Sequence, residues 1–396
     1  MPPAHTLSES FFAPCPRGLE TVLQAELIGW GAAAVHCTEA GVSFCADMTL
    51  CMRANLESRI ASRILWQVAR GPYRHAQDLY EAASACPWGD WFGPQHTLRV
   101  DTRAHRCPLK SLDFVTLRVK DAICDQFRAR EGRRPSINTQ QPDMRVHVYL
   151  NASEYFLYLD TSGAALFKRG LRPESGDAAL KKNLAAGILQ LAGWQPETPL
   201  LDPFCGSGAF LLEAAEQSLG RAPGLDRSFA FEQLKGWDLA TWNQLRAEAR
   251  SRVQPPRPLP LWGRDLKGDA IDSTRANLAA AGLEGCVQLK QVNMLESSAP
   301  APSGILVANP PYGVRMGEQE QLARFYPELG HVLKQKYAGW EAWFLTADLR
   351  LAKLIRLQPA RRIPLFNGAL ECRLFHIPLV AGSHRQPRPP TEPTVI

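Results

Sequence analysis

The sequence predicts an α/β protein: an open, mostly parallel sheet in the second half, preceded by a smaller α+β region. Three observations point there. Apolar runs at Leu200-Leu201 and Gly304-Ile305-Leu306-Val307-Ala308 each end in a polar residue beside proline, as strands buried on both faces of a parallel sheet do. Helix-period stretches, Phe210 to Ala215 and Ala270 to Ala281, alternate with such runs. Ahead of residue 163, strands of alternating polarity surround an amphipathic helix instead.

Composition frames the rest. A chain of 396 residues exceeds one ordinary domain. Its 45% hydrophobic and 21% charged content is that of a soluble globular protein. No apolar run approaches the ~20 residues of a membrane span, and the start lacks the basic and apolar segments of an export signal. The ten cysteines are scattered without a Cys-x-x-Cys, which predicts buried thiols of a cytoplasmic protein and no metal site. A net charge of +6 is mildly basic, so a nucleic-acid surface would have to be a local patch.

In chain order, residues 1–10 read as a loose start. Arg17 to Trp30 is a helix with Leu19, Val22, Leu23 and Leu27 on one face. A strand at Gly41 to Ala46, a helix at Thr49 to Ser58 and a strand at Ile60 to Val68 complete an α+β unit over residues 1–70. A second unit, residues 71–162, has strands at Leu98 to Asp101, Arg145 to Leu150 and Tyr155 to Leu159. Its helix, Phe114 to Arg130, turns Val115, Val119, Ala122, Ile123 and Phe127 inward. From Arg99 to Arg134 there are ten Lys and Arg against five Asp and Glu, densest at Arg128, Arg130, Arg133 and Arg134, with Arg103, Arg106 and Lys110 upstream. Such a block suits a phosphate backbone.

The third part, residues 163–382, opens with Lys168, Arg169 and Arg172, placed to bridge RNA between the halves. A helix at Leu180 to Leu191 precedes the strand ending at Asp202. Residues 220–262, with prolines at 255, 256, 258 and 260, read as an irregular insertion. A strand from Leu261 leads to Asp265, and another, Val287 to Val292, ends at Asn293. Trp340 to Thr346 and Cys372 to Ile377 would close the sheet. Residues 383–396, rich in proline and arginine, read as a disordered tail.

Two motifs carry the chemistry. In Asp202-Pro203-Phe204-Cys205-Gly206-Ser207-Gly208 the glycines let the backbone approach a ligand, and the following helix N-terminus favours a carboxylate. The acidic residue before the turn disfavours a phosphate but suits a cationic amino acid such as the methionine part of S-adenosylmethionine. In Asn309-Pro310-Pro311-Tyr312-Gly313 the prolines force the chain out of the sheet. The Asn309 side-chain oxygen and the Pro310 carbonyl could take both hydrogens of a planar amino group while Tyr312 stacks on its ring. That geometry turns the nitrogen lone pair towards a methyl electrophile.

Together Phe12 to Arg17, the basic block, Val119-Lys120-Asp121-Ala122-Ile123, Leu171-Arg172, Leu184-Ala185-Ala186, Gly193-Trp194, Arg221 to Gly224 and the two motifs resemble the THUMP-containing guanine-N2 RNA methyltransferases. The resemblance covers roughly residues 8–380 and is strongest to the members acting on bacterial large-subunit (23S) ribosomal RNA. It implies a ferredoxin-like subdomain, an RNA-gripping THUMP domain and a Rossmann-like class I methyltransferase domain using S-adenosylmethionine. It implies methionine contacts from Asp202, Phe204, Gly206 and Gly208, a ribose contact from Asp265, and an adenine contact from Asn293. Asn309, Pro310 and Tyr312 would hold the target guanine, with Asn309 also beside the cofactor. Departures are Ala179 to Asn183 in place of a Pro-Ile-Lys-Glu-Thr type of run, Asn293 for an aspartate, and Ala209 for a threonine. Some members carry a second, 7-methylguanine-forming unit, an activity these 396 residues are expected to lack.

Transfer is expected to be direct, with Cys205 structural. The rivals are a transfer-RNA guanine-N2 enzyme, an adenine-N6 DNA methyltransferase, a glutamine-N5 protein methyltransferase and a non-catalytic RNA-binding assembly factor.

Overall fold

The computed structural model describes residues 8–169, 180–310 and 316–380, with the backbone alone at 316–321. Arg172, Tyr312 and the expected tail lie outside the described residues. The chain forms two compact units. One comprises Met1–Leu191, Leu212–Pro256 and Leu365–Ala369; the other comprises Ala192–Leu211, Arg257–Pro364 and Leu370–Ile396.

The first unit is built on β1 (Glu9–Pro14), β2 (Ala33–Thr38), β3 (Gly41–Ala46), β4 (Leu65–Pro72), β5 (Leu98–Ala104), β6 (Met144–Leu150) and β7 (Glu154–Asp160). They form one sheet in the order β2-β3-β1-β4-β7-β6-β5, antiparallel except for the β5–β6 pair. Every second side chain (Phe11, Ala13, Val100, Val146, Val148, Leu157, Leu159) is buried, the period that puts one face of a sheet into a core. The helix Leu112–Glu131 packs on β5. It begins where the Ser111 hydroxyl accepts the Phe114 N–H and ends at Gly132, whose φ of 71° is left-handed, a common helix stop. Its five predicted inward residues are all buried.

Three expectations change in this unit. The loose start takes in Glu9 and Ser10, the first two residues of β1, which pair with Ala46 and Cys45 of β3. β4 runs from Leu65 to Pro72, because pairing begins at Leu65 opposite Asp160; Ile60, Ala61 and Ile64 are buried in the link before it. The supposedly irregular residues 220–262 contain a helix, Leu239–Ser251, whose first N–H groups at Ala240 and Thr241 donate to the Asp238 carboxylate. β4 also crosses residue 70 and pairs with β1 on one side and β7 on the other. The two α+β segments therefore share a single sheet.

The second unit's sheet comprises β8 (Leu200–Asp202), β9 (Leu261–Asp265), β10 (Gln288–Gln291), β11 (Gly304–Ala308), β12 (Trp340–Thr346), β13 (Arg361–Asn367) and β14 (Leu370–Leu379). Its order is β10-β9-β8-β11-β12-β14-β13. β8 to β12 run parallel, and β14 returns antiparallel to β12. Leu201, Leu306, Ala308, Tyr326, Leu329, Trp340 and Phe344 share its core. From β8 the chain adds β9 and β10 on one side and later β11 and β12 on the other. The strand order thus reverses between β8 and β11, where open α/β sheets leave a crevice at the strand carboxyl ends.

Candidate active site

The glycine turn after Asp202 and the pair Asn309-Pro310 stand at that crevice. Leu200 and Leu201 of β8 pair with Ile305 and Leu306 of β11, and Asp202 pairs with Gly263 of β9. The parallel register therefore brings the ends of three strands, with Asp202, Asp265 and Asn309 on or just beyond them, to one edge. The apolar runs of β8 and β11 both end at that edge, at Asp202 and just before Asn309.

Asp202 is 2% exposed, and its carboxylate accepts the Phe204 N–H at 3.2 Å. Burial pushes it up to about 8, the Phe204 N–H opposes that, and the nearby Asp265 charge adds to it. Among the described residues the groups that act on it include no cation, and a buried carboxylate without one is costly. An amino group brought by a ligand would supply the missing charge.

The turn after Asp202 is braced from two sides. Gly206 and Gly208 have φ of 53° and 83°, conformations that favour glycine. A Cβ on Gly208 would stand 2.7 Å from Thr274 Cγ2. The Thr274 hydroxyl donates to the Gly206 carbonyl at 2.8 Å, and the Asn277 amide donates to that of Ser207 at 2.9 Å. Both come from the helix Gly268–Ala280. These bracing residues escaped the sequence reading; the only local sign is two polar side chains three apart on one helix face. Asp265 accepts N–H groups from Gly206 at 3.2 Å and Lys267 at 3.0 Å.

Asn293 follows β10, and its side-chain oxygen accepts the Leu295 N–H at 3.1 Å. The amide oxygen keeps a second lone pair for an adenine amino group. Phe204 is half-buried, with its ring 6.0 Å from that of Phe325, so it also serves the core. Asn309 is half-buried and Pro310 buried, directly beyond β11. Burial pushes the Cys205 thiol up to about 12 and Asp202 adds to the shift, a poor setting for a nucleophile. The buried acid, glycine turn and second acid fit an amino acid joined to a nucleoside, the shape of S-adenosylmethionine.

The basic residues do not form one block. Arg103, Arg106 and Lys110 lie exposed at or beyond the end of β5, before the helix Leu112–Glu131. Arg128, Arg130, Arg133 and Arg134 lie exposed at and after its far end. At 1.5 Å per residue this helix separates the two groups by roughly 30 Å. Lys168 is exposed. Arg169 corrects the sequence reading: it is 6% exposed, and its guanidinium donates to Glu213 at 2.9 Å and to the Ser58 and Arg59 carbonyls. Buried and paired, it is no landing surface for RNA.

Residues 169–376 match the family described as RMKL-like, methyltransferase domain. Residues 73–160 match the THUMP domain, and residues 10–65 the RlmL ferredoxin-like domain. The Synechocystis sp. protein slr0064, an RNA methyltransferase by name, is 39% identical over 366 residues, 92% of this chain and 95% of its own. The ribosomal RNA large subunit methyltransferase K/L of Methylococcus capsulatus is 40% identical over 376 residues. That match takes in 93% of this chain but 51% of the relative, so the chain spans about half the length of such relatives. Among solved structures SMU.472, named as a methyltransferase and complexed with SAH, superposes with a TM-score of 0.85 at 28% identity. The superposition covers 96% of this chain and 99% of that one. With the glycine turn and the Asn-Pro corner meeting at one sheet edge, the chain belongs to the RMKL-like methyltransferase family, with ferredoxin-like and THUMP domains ahead of the methyltransferase domain.

Proposed function

We propose that the chain is an S-adenosylmethionine-dependent RNA methyltransferase that makes N2-methylguanine in large-subunit (23S) ribosomal RNA. The division that goes with it is residues 1–70, 71–162 and 163–382. The observation that carries the reading is the placement of Asp202 at the end of β8 and Asn309 just beyond β11, the two strands that flank the reversal of strand order. S-adenosylmethionine, when bound, supplies a methyl group on a sulfonium. Asp202 would pair with the amino group of its methionine part, the glycine turn would admit its carboxylate, and Asp265 would take the ribose hydroxyls. Asn309 and the Pro310 carbonyl would accept the two hydrogens of the guanine N2 and aim its lone pair at the methyl carbon; stacking on the ring is the role the resemblance implies for Tyr312. The cofactor held there would supply the methyl group, and the proton that N2 gives up would leave to water. Orientation of two bound reactants supplies most of the rate gain. The target base must leave its stack to reach this edge.

The names of the K/L relatives favour ribosomal RNA, and the exposed arginines of the first unit suit a phosphate backbone. The test is methylation of ribosomal and transfer RNA from cells lacking the protein, with labelled cofactor and nucleoside mass spectrometry. N2-methylguanosine in 23S RNA is the expected product. N6-methyladenosine, label in transfer RNA alone, or no transfer would each overturn the assignment.

A further inference from the structure

One face of the seven-stranded sheet in the first unit is buried in the core, through Val146, Val148, Leu157 and Leu159. The residues between them point the other way and carry rings and guanidinium groups that methyl transfer does not use. Phe12 lies 6.0 Å from Tyr158, Tyr158 lies 6.3 Å from Phe156 with planes 6° apart, and Phe156 lies 6.1 Å from Tyr149. The pairing explains the row, since His147 stands opposite Tyr158 and Tyr149 opposite Phe156. Arg103 is the partner of Tyr149 across β5 and β6. The Arg70 guanidinium sits 5.1 Å over the Phe156 ring. Arg99 and Arg145 share Asp101, at 2.8 Å and 3.6 Å.

Aromatic pairs across strands also stabilise a sheet on their own, and Tyr158, at 8% exposure, does no more than that. Tyr149 is different: it is 39% exposed, and Phe12 and Phe156 are only half-buried. An apolar protein partner would not match a face that interleaves those rings with Arg70, Arg99, Arg103 and Arg145. A nucleic acid would, because every base offers a π-face and every linkage a phosphate. A duplex hides its base faces in the stack, so rings lying on a sheet can meet only unpaired bases.

We infer that this face is a stacking platform for an unpaired RNA segment, with Tyr149 and Phe156 beneath bases and Arg99, Arg103 and Arg145 along the backbone. The inference rests on the RNA reading above and adds the class of strand. It is tested with the full chain by fluorescence anisotropy, using labelled oligouridylate and a mixed-sequence RNA duplex of the same length over a series of KCl concentrations. The single strand should bind more tightly than the duplex. Tyr149→Ala with Phe156→Ala should weaken single-strand binding about tenfold or more with an unchanged salt slope, because stacking releases no counterions. Tyr149→Trp should retain binding, and Arg103→Glu should flatten the slope. Should the double variant not fold, Tyr149→Ala alone, at an exposed position, gives the same reading. Unchanged single-strand affinity in the aromatic variants, or preference for the duplex, overturns the platform. Wild-type chain that binds neither RNA overturns the RNA reading itself.

Discussion

Asn309 acts on a lone pair, and its loss should therefore be felt in turnover more than in binding. Asn309→Ala is expected to lower the single-turnover rate by about 10²–10³-fold, as removal of one aimed polar group in an active site does. Calorimetric affinity for S-adenosylmethionine should stay within a few-fold; an equal loss of both would reassign the residue to the cofactor. Asp202 makes a pH prediction. Its carboxyl is raised from 3.8 to about 8 in the cofactor-free fold, so the fold binds a proton there that the unfolded chain releases. Its contribution to stability is full below pH ~4 and is lost as pH rises towards ~8. Asp202→Asn should remove that slope from the melting temperature while weakening cofactor binding; an unchanged slope would mean that the carboxyl is ionised throughout. Both residues were legible because each ends an apolar run beside proline. Arg169 was not, since its partner Glu213 stands 44 positions on and nothing near it in sequence marks it as buried.

At the scale of elements, the helix Ala209–Ser218 that follows the glycine turn also ends a polar knot. Glu213 and Glu216 on it meet Arg169 and Arg59, and burial with the neighbouring Glu213 charge pushes the Glu216 carboxyl up. Arg169→Ala removes the shorter of two guanidinium partners of buried Glu213, leaving Arg59 at 3.3 Å, and should cost about 3–5 kcal/mol in urea unfolding. Joint replacement of Arg169 and Glu213 by Met and Leu should cost less than Arg169→Ala, because the charge left behind, on Arg59, still meets Glu216 and the Arg221 carbonyl. A double variant worse than Arg169→Ala would give the pair a net stabilising role. Strands with two-residue alternation, such as β6, and the capped helix Leu112–Glu131 were readable from local pattern. β4 was misplaced because Ile60, Ala61 and Ile64 look the same in a strand as in a buried link; pairing with β1 and β7 decides. The helix Leu239–Ser251 had its signal in Asp238, outweighed in the reading by the prolines after it.

For the molecule as a whole, the separation of the arginines into two groups changes what charge reversal should do. Converting Arg130, Arg133 and Arg134 to Glu should weaken RNA binding and reduce the slope of log K against log salt by about 0.7–0.9 for each phosphate no longer neutralised. Filter binding across KCl concentrations measures it, and an unaltered slope would make this end of the helix a merely solvated surface. The sequence showed that basic residues were abundant; it could not show that a long helix keeps them apart, since charge density along the chain carries no direction in space. The central strand β8 has a further consequence, for how the protein is made. Three residues long, it is held by β9 and β11, whose residues leave the ribosome far later, and no hairpin can seed it. Parallel pairing of such distant segments is slow. The crevice for the methyl donor thus cannot exist until Gly304–Ala308 has been synthesised, and until then Leu200 and Leu201 are sticky, unpaired chain that a nascent-chain chaperone would have reason to shield.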